Sequence, residues 1–274
     1  MNVNRKVDMN TLKRFLIRED KDYDYYGENY QAVSMAEKAF YIFFHLLPGL
    51  VAYAVLNIEP VHDFLVILTG MESRTMQYMF FFIITFGWHM VLPFVVLRYS
   101  DKLTFKESIA FLGLGTKRMD WQGIFVFLPV VIVVFTLISI PYMAYVFPVL
   151  KGWIMSVPAL VEPEYSLFAP NGGLYDIPAF MLLMLLVGNF LGEELYFRGY
   201  LMKKTTFLGK YNWLITSCLF SIYHFWQAPT TWSYIGLVWV FGLVMHWRKN
   251  LYVPILLHIY LNLGWGIVLG MFLN

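Results

Sequence analysis

The sequence predicts an all-α fold, a polytopic membrane helical bundle of about seven to eight transmembrane helices. Three observations carry that prediction. Apolar runs near the roughly 20 residues needed to cross a bilayer recur along the chain. Only 14% of the residues are charged, where a soluble domain carries roughly 25%. Aromatic residues reach 19%, with many Trp and Tyr, which suits two interfacial belts. Mean hydropathy over the 274 residues is +0.59.

The elements follow in order. Residues 1–38 read as a cytoplasmic amphipathic N-terminal segment. Leu12, Phe15 and Leu16 among Lys13, Arg14 and Arg18 predict a short basic helix on the membrane surface. Asp22 to Tyr30 is acidic and tyrosine-rich, and reads as a solvated linker. The polar start predicts no cleavable signal peptide. Residues 39–177 hold N-terminal transmembrane helices, with spans expected at 39–57, 77–97 and 122–147. Phe64–Leu68 is too short to span and fits a re-entrant or interfacial piece. Residues 178–274 form a C-terminal transmembrane core, with spans expected at 178–202, 212–228, 232–247 and 251–272. There are no internal repeats, which disfavours a repeat-built transporter.

Loop charge predicts the orientation. One set of loops holds Arg5, Lys6, Lys13, Arg14, Arg18, Lys21, Lys38, Arg98, Lys102, Lys106, Lys117, Arg118, Lys203, Lys204, Lys210, Arg248 and Lys249. The alternate loops hold only Arg74 and Lys151. The expectation is an integral protein of the plasma (inner) membrane, N-terminus cytoplasmic and Asn274 on the far side. The single cysteine, Cys218, excludes an internal disulfide, and a net charge of +2 is too small to point to nucleic acid.

Function is most legible at residues 193–198, Glu-Glu-Leu-Tyr-Phe-Arg. Each charge at the centre of a membrane helix costs about 2.5–3.5 kcal/mol before pairing. Glu194 and Arg198 are four apart and share a helix face, so they can pair. Glu193 points about 100° away and is left free, with Asn189 on its face. Taken alone, this run also reads as an ion cluster at a helix end. His224 closes Phe220-x-x-x-His224, and His258 and Asn262 form His-x-x-x-Asn on one face. His224 alone reads as a hydrogen-bonded packing residue, and the His258/Asn262 pair reads equally as interhelical packing or as part of a site. Depth argues for a shared site. At 1.5 Å per residue, Glu193 lies about 15 Å from Lys203 and His224 about 18 Å from Asn212. His258 and Asn262 lie about 12 and 18 Å from Asn250. Three helices thus deliver polar groups to one layer. His89 reaches a similar depth but has no motif and reads as a satisfied core histidine. His45 reads as packing, and His62 and His246 carry no assignment.

A carboxylate and an imidazole in a shielded layer can hold and deprotonate a water. A second imidazole and an amide can donate to a developing oxyanion. None of the eight Asp residues lies inside a span, His-Glu-x-x-His is absent, and so is Gly-x-Ser-x-Gly. Activated water, rather than a side-chain nucleophile, is the simplest reading.

Glu193-Glu194-x-x-x-Arg198, Phe220-x-x-x-His224 and His258-x-x-x-Asn262 together resemble the three motifs of the CPBP intramembrane proteases, over roughly 178–265. That family includes the CAAX prenyl endopeptidases and the bacterial Abi-type proteins. The resemblance implies a glutamate-dependent intramembrane endopeptidase acting on a peptide or lipidated peptide among membrane lipids. It makes Glu193 the base, helped by His224, with His258 and Asn262 at the oxyanion and Glu194 and Arg198 in support. Every polar motif position is present. Two His and a Glu are a donor set that zinc can use, but Glu193 and His224 suffice without a cofactor. A non-catalytic scaffold or immunity protein, or a proton-coupled transporter, would also bury such groups.

Overall fold

The computed structural model describes residues 9–115, 119–169, 178–228, 231–234 and 236–265. Arg5, Lys6, Lys117, Arg118, Asn274 and the expected end of the last span beyond Trp265 lie outside the described residues. The fold is all-helical among the described residues. Helices α1 (Met9–Leu16) and α2 (Lys21–Glu28) lead into α3 (Met35–Asn57) and α4 (Glu59–Thr69). Then come α5 (Ser73–Tyr99), α6 (Phe105–Phe111), α7 (Gly123–Met155) and α8 (Ala179–Lys204). The chain continues through α9 (Asn212–Tyr223), α10 (Trp239–Arg248) and α11 (Tyr252–Gly264).

Of these, α3, α5, α7 and α8 are long and apolar enough to cross a membrane. Helices α9 and α10 are shorter than the spans expected at 212–228 and 232–247, and α11 lies within the span expected at 251–272, whose end is outside the described residues. The physical reason is local. Helix α9 breaks into a 3₁₀ turn at His224–Gln227, and α10 begins only at Trp239. The sequence-predicted third span lengthens instead, running on to Met155. The short run at Phe64–Leu68 sits in α4, which ends on Gly70 at a positive φ of 64°. Its Phe64, Ile67 and Leu68 are exposed, as befits an interfacial piece.

Capping chemistry sets several starts. Ser34 and Glu37 form a reciprocal capping box on α3, and Thr104 and Glu107 form one on α6. Helix α8 is central. Its Gly188-x-x-x-Gly192 face lies against α5, where a Cβ on either glycine would stand 2.6 Å from Thr85. Small residues at that spacing let two backbones approach closely. Helix α3 meets α9 in the same way, Gly49 against Tyr223. Around α8 the core gathers Phe44, Leu97, Phe111, Leu195, Phe197 and Tyr223.

The N-terminal arm departs from the solvated-linker reading of Asp22–Tyr30. Tyr23, Tyr26 and Tyr30 pack on the core, and Gly27 is buried. Lys204, at the end of α8, bonds both Asp101 oxygens at 2.7 Å and the Tyr30 hydroxyl at 2.8 Å. Lys203 donates to the Phe111 carbonyl and lies 3.9 Å over the Tyr23 ring. Asp24 pairs with Lys249 at 2.6 Å. The tyrosines that looked like linker composition are partners for cations that α8 carries into a buried place. Helix α1 is also tied to the bundle rather than lying on the membrane surface alone. Phe15 meets Phe127 at 5.8 Å, and Arg248 donates to the Phe15 carbonyl at 2.7 Å.

Candidate active site

Helix α8 presents both glutamates inside the bundle. Glu193, Glu194 and Arg198 are 5%, 0% and 3% exposed. The helix turn separates them. Arg198 Nη1 donates to Glu194 Oε1 at 3.1 Å, the pairing that i,i+4 spacing allows. The guanidinium also lies 3.8 Å over the Phe220 ring and 5.1 Å from that of Phe241. A desolvated cation over an aromatic face is held by the ring quadrupole.

Glu193 faces α9. Its Oε1 stands 3.8 Å from His224 Nε2. His224 caps α9 at its break, and its Nδ1 donates to the Phe220 carbonyl at 2.9 Å. A carbonyl only accepts, so Nδ1 carries the ring hydrogen and Nε2 turns a lone pair toward Glu193. Phe220 therefore orients both neighbours, with its carbonyl on His224 and its ring under Arg198.

Helix α11 does not deliver its residues to Glu193 as a set. His258, 6% exposed, donates from Nδ1 to Glu194 Oε1 at 3.0 Å. Glu194 thus joins Arg198 and His258 in one cluster. Asn262 is exposed, and its amide donates back to the His258 carbonyl at 3.1 Å. Five of the six motif residues fall into two groups, Glu193 with His224 and Glu194 with Arg198 and His258, and Asn262 meets only the His258 carbonyl among the described residues.

The other histidines separate cleanly. His89 is fully buried among Tyr196, Phe197 and Tyr223, but neither ring nitrogen has a hydrogen-bond partner among the described residues. It is a core histidine without the expected satisfaction. His45 donates to the Tyr41 carbonyl at 2.8 Å, and His62 sits between Asp63 and Ser73. Sequence reasoning missed the aromatic box around the site. Phe190 and Phe241 flank the His258 ring at 5.6 and 5.1 Å. Only Phe220 had a signal, its place in Phe-x-x-x-His.

A catalytic zinc site needs three protein ligands. His258 Nδ1 is committed to Glu194, which leaves its Nε2, together with Glu193 and His224, as the candidate donors. Among the described residues no three His, Cys, Asp or Glu side chains are grouped to hold a metal ion. No step is routed through a metal.

Residues 176–264 match the family described as Rce1-like, type II CAAX prenyl endopeptidase Rce1-like. The match supports the CPBP/CAAX protease family for this segment. The matched residues take in α8 to α11 and so contain every side chain of the two groups. The α1–α7 part lies outside the match. No curated protein and no solved structure matches the chain. Family and apolar helices together indicate an integral membrane protein, of a protease type.

Proposed function

We propose that the chain is an intramembrane endopeptidase of CAAX-protease type that hydrolyses a peptide bond with a water activated by Glu193 and His224. The observation that carries this reading is the facing pair, Glu193 Oε1 and His224 Nε2, 3.8 Å apart on separate helices. That gap exceeds a direct hydrogen bond. Two acceptors opposed across it suit a water that donates a hydrogen to each. Attack of the water oxygen on the peptide carbonyl carbon passes its proton to Glu193. Collapse of the tetrahedral intermediate breaks the C–N bond, and the proton leaves with the amine.

Glu194 and Arg198 hold His258 in place. With Nδ1 spent on Glu194, His258 offers a hydrogen to an oxyanion only as the imidazolium. Glu193 and Glu194 balance the charge of that imidazolium and Arg198. Asn262 one turn on supplies an amide at the same helix face. We place the site in the half of the membrane that meets the basic loops, with the N-terminus on the cytoplasmic side. The substrate class is a peptide or prenylated protein reaching the site from the bilayer.

The test is cleavage by the full chain reconstituted in liposomes. The probes are a farnesylated quenched-fluorescence peptide ending in a CAAX box and its unprenylated twin. Wild type cleaves, and Glu193→Ala and His224→Ala each abolish cleavage while remaining folded. Retained cleavage in both variants overturns the proposal. Cleavage of the unprenylated twin at an equal rate removes the lipid from the substrate class.

A further inference from the structure

A second built site lies away from the glutamates. A cavity of about 540 Å³ opens between α1 and the start of α7, lined by Lys13, Arg14, Arg18, Arg248, Gln122 and Asp120 among others. Its cations are not equivalent. Arg248 is engaged at all three nitrogens: Nε and Nη2 grip Asp120 at 2.6 Å each, and Nη1 holds the Phe15 carbonyl. Asp120 is thereby neutralised. Arg18 gives Nη2 to Asp20 at 3.1 Å, while its Nη1 is buried with no hydrogen-bond partner among the described residues. Lys13 and Arg14 are exposed and have no ion pair among the described residues. Glu19, also in the lining, is exposed. The cavity therefore presents one fixed guanidinium floor, one partly satisfied guanidinium and two free cations.

Its surroundings are apolar. Trp121, between the lining residues Asp120 and Gln122, is 57% exposed and stacks on Phe125 at 5.7 Å. Phe125 lies two residues into α7, a helix long and apolar enough to cross a membrane. On α1, Leu12 and Ile17 are exposed beside the basic side chains. A soluble anion would use the cations and ignore this apolar edge. A phospholipid uses both. Basic pockets between membrane helices bind anionic headgroups, and aromatic rings sit at headgroup level.

We propose that this cavity binds the phosphate of an anionic phospholipid headgroup, with the acyl chains running down past Trp121 and Phe125. Lys13, Arg14 and Arg18 Nη1 contact the phosphate oxygens. Arg248 and Asp120 form the rigid floor that fixes α1 to α7. The site does not depend on the chemistry at Glu193.

Native mass spectrometry of the full-length protein in detergent tests this, with phosphatidylglycerol and phosphatidylcholine added in equal amounts. A separate arm adds glycerol phosphate, which carries the charge without the chains. Wild type retains phosphatidylglycerol over phosphatidylcholine. Near a membrane surface each cation contributes about 1 kcal/mol, so Lys13→Gln with Arg14→Gln weakens retention about 30-fold. Arg18→Gln weakens it in the same direction, and Lys210→Gln, outside the cavity, leaves it unchanged. Equal retention of the two lipids, or no effect of the double variant, overturns the proposal. Displacement of the lipid by an equal concentration of glycerol phosphate also overturns it, because the ligand is then a free phosphate.

Discussion

The two adjacent glutamates carry opposite predictions. Glu194 is wholly buried, 3.1 Å from Arg198 Nη1 and 3.0 Å from His258 Nδ1. Glu194→Gln removes the charge that both partners face and leaves a guanidinium that is 3% exposed without its carboxylate. Removing one member of a buried ion pair costs about 3–5 kcal/mol. Glu193 makes its ion-pair contact with His224, at 3.8 Å. Glu193→Gln gives up no direct hydrogen bond to that ring, so its effect on stability stays within about 1 kcal/mol, the net worth of one such bond. Its effect on turnover is large, because loss of a positioned base costs about 10²–10⁴-fold. Two measurements on the purified full chain separate these effects: equilibrium unfolding in mixed micelles of rising SDS fraction, and peptide cleavage per folded molecule. The expected pattern is a folded, inactive Glu193→Gln and a destabilised Glu194→Gln whose folded fraction retains turnover above that of Glu193→Gln. Equal destabilisation of the two variants, or cleavage by folded Glu193→Gln, refutes the division of roles.

Three further predictions follow from other parts of the molecule. Gly192→Val puts a branched carbon against the Thr85 carbonyl, where even a Cβ would stand 2.6 Å away, so α5 and α8 must part; the measurement is loss of both the folded fraction and cleavage, and a variant of wild-type stability refutes the close packing. In the loop after α7, burial pushes Glu162 up to about 7, with Lys151 pulling the other way. The folded chain then keeps a proton that the unfolded chain releases, so stability is full below about 4.5 and falls as pH rises to about 7. Thermal unfolding at pH 5 and 8 should show a slope that Glu162→Gln reduces; an unchanged slope refutes it. Asp101→Asn removes the carboxylate held by buried Lys204 and by Tyr30 at the foot of α8, and should loosen the arm enough for limited proteolysis to cut within residues 20–30.

Much of the fold is legible in the sequence because membrane helices are written in consecutive apolar residues. α3, α5, α7 and α8 are each found near the run that predicts them. Helices α9 and α10 differ because their lengths depend on breaks that hydropathy does not register. Phe220 to Gln227 is apolar enough to continue a helix, yet α9 stops at Tyr223. The arm was the least legible part. Asp22 to Tyr30 has a linker's composition, and only the distant Lys203, Lys204, Lys249 and Asp101 give its side chains a purpose. Such contacts span 70 residues or more of chain and leave no local pattern.

The site divides along the same line between local and distant information. Glu194 with Arg198 is a four-residue spacing on one helix, and spacing alone predicts that pair; the bond from His224 to the Phe220 carbonyl spans the same four residues. The partner of His258 is a different kind of fact. Rise per residue places Glu193, Glu194 and His258 in one layer, but depth cannot say which carboxylate the imidazole meets. That choice is a rotation of α8 against α11. Gly199 is a close approach that bears on it, with the Leu251 side chain and the Leu112 carbonyl within 3.2 and 3.1 Å of a would-be Cβ. With α8 seated that way, His258 reaches Glu194, and Glu193 is turned to His224. A larger residue at 199 would therefore act on chemistry about six residues away through orientation alone. Gly199→Ala tests this as a positioning change. It should lower kcat more than it raises KM and leave Glu193→Gln equally inactive in either background; an unaltered kcat would mean that the rotation is fixed elsewhere.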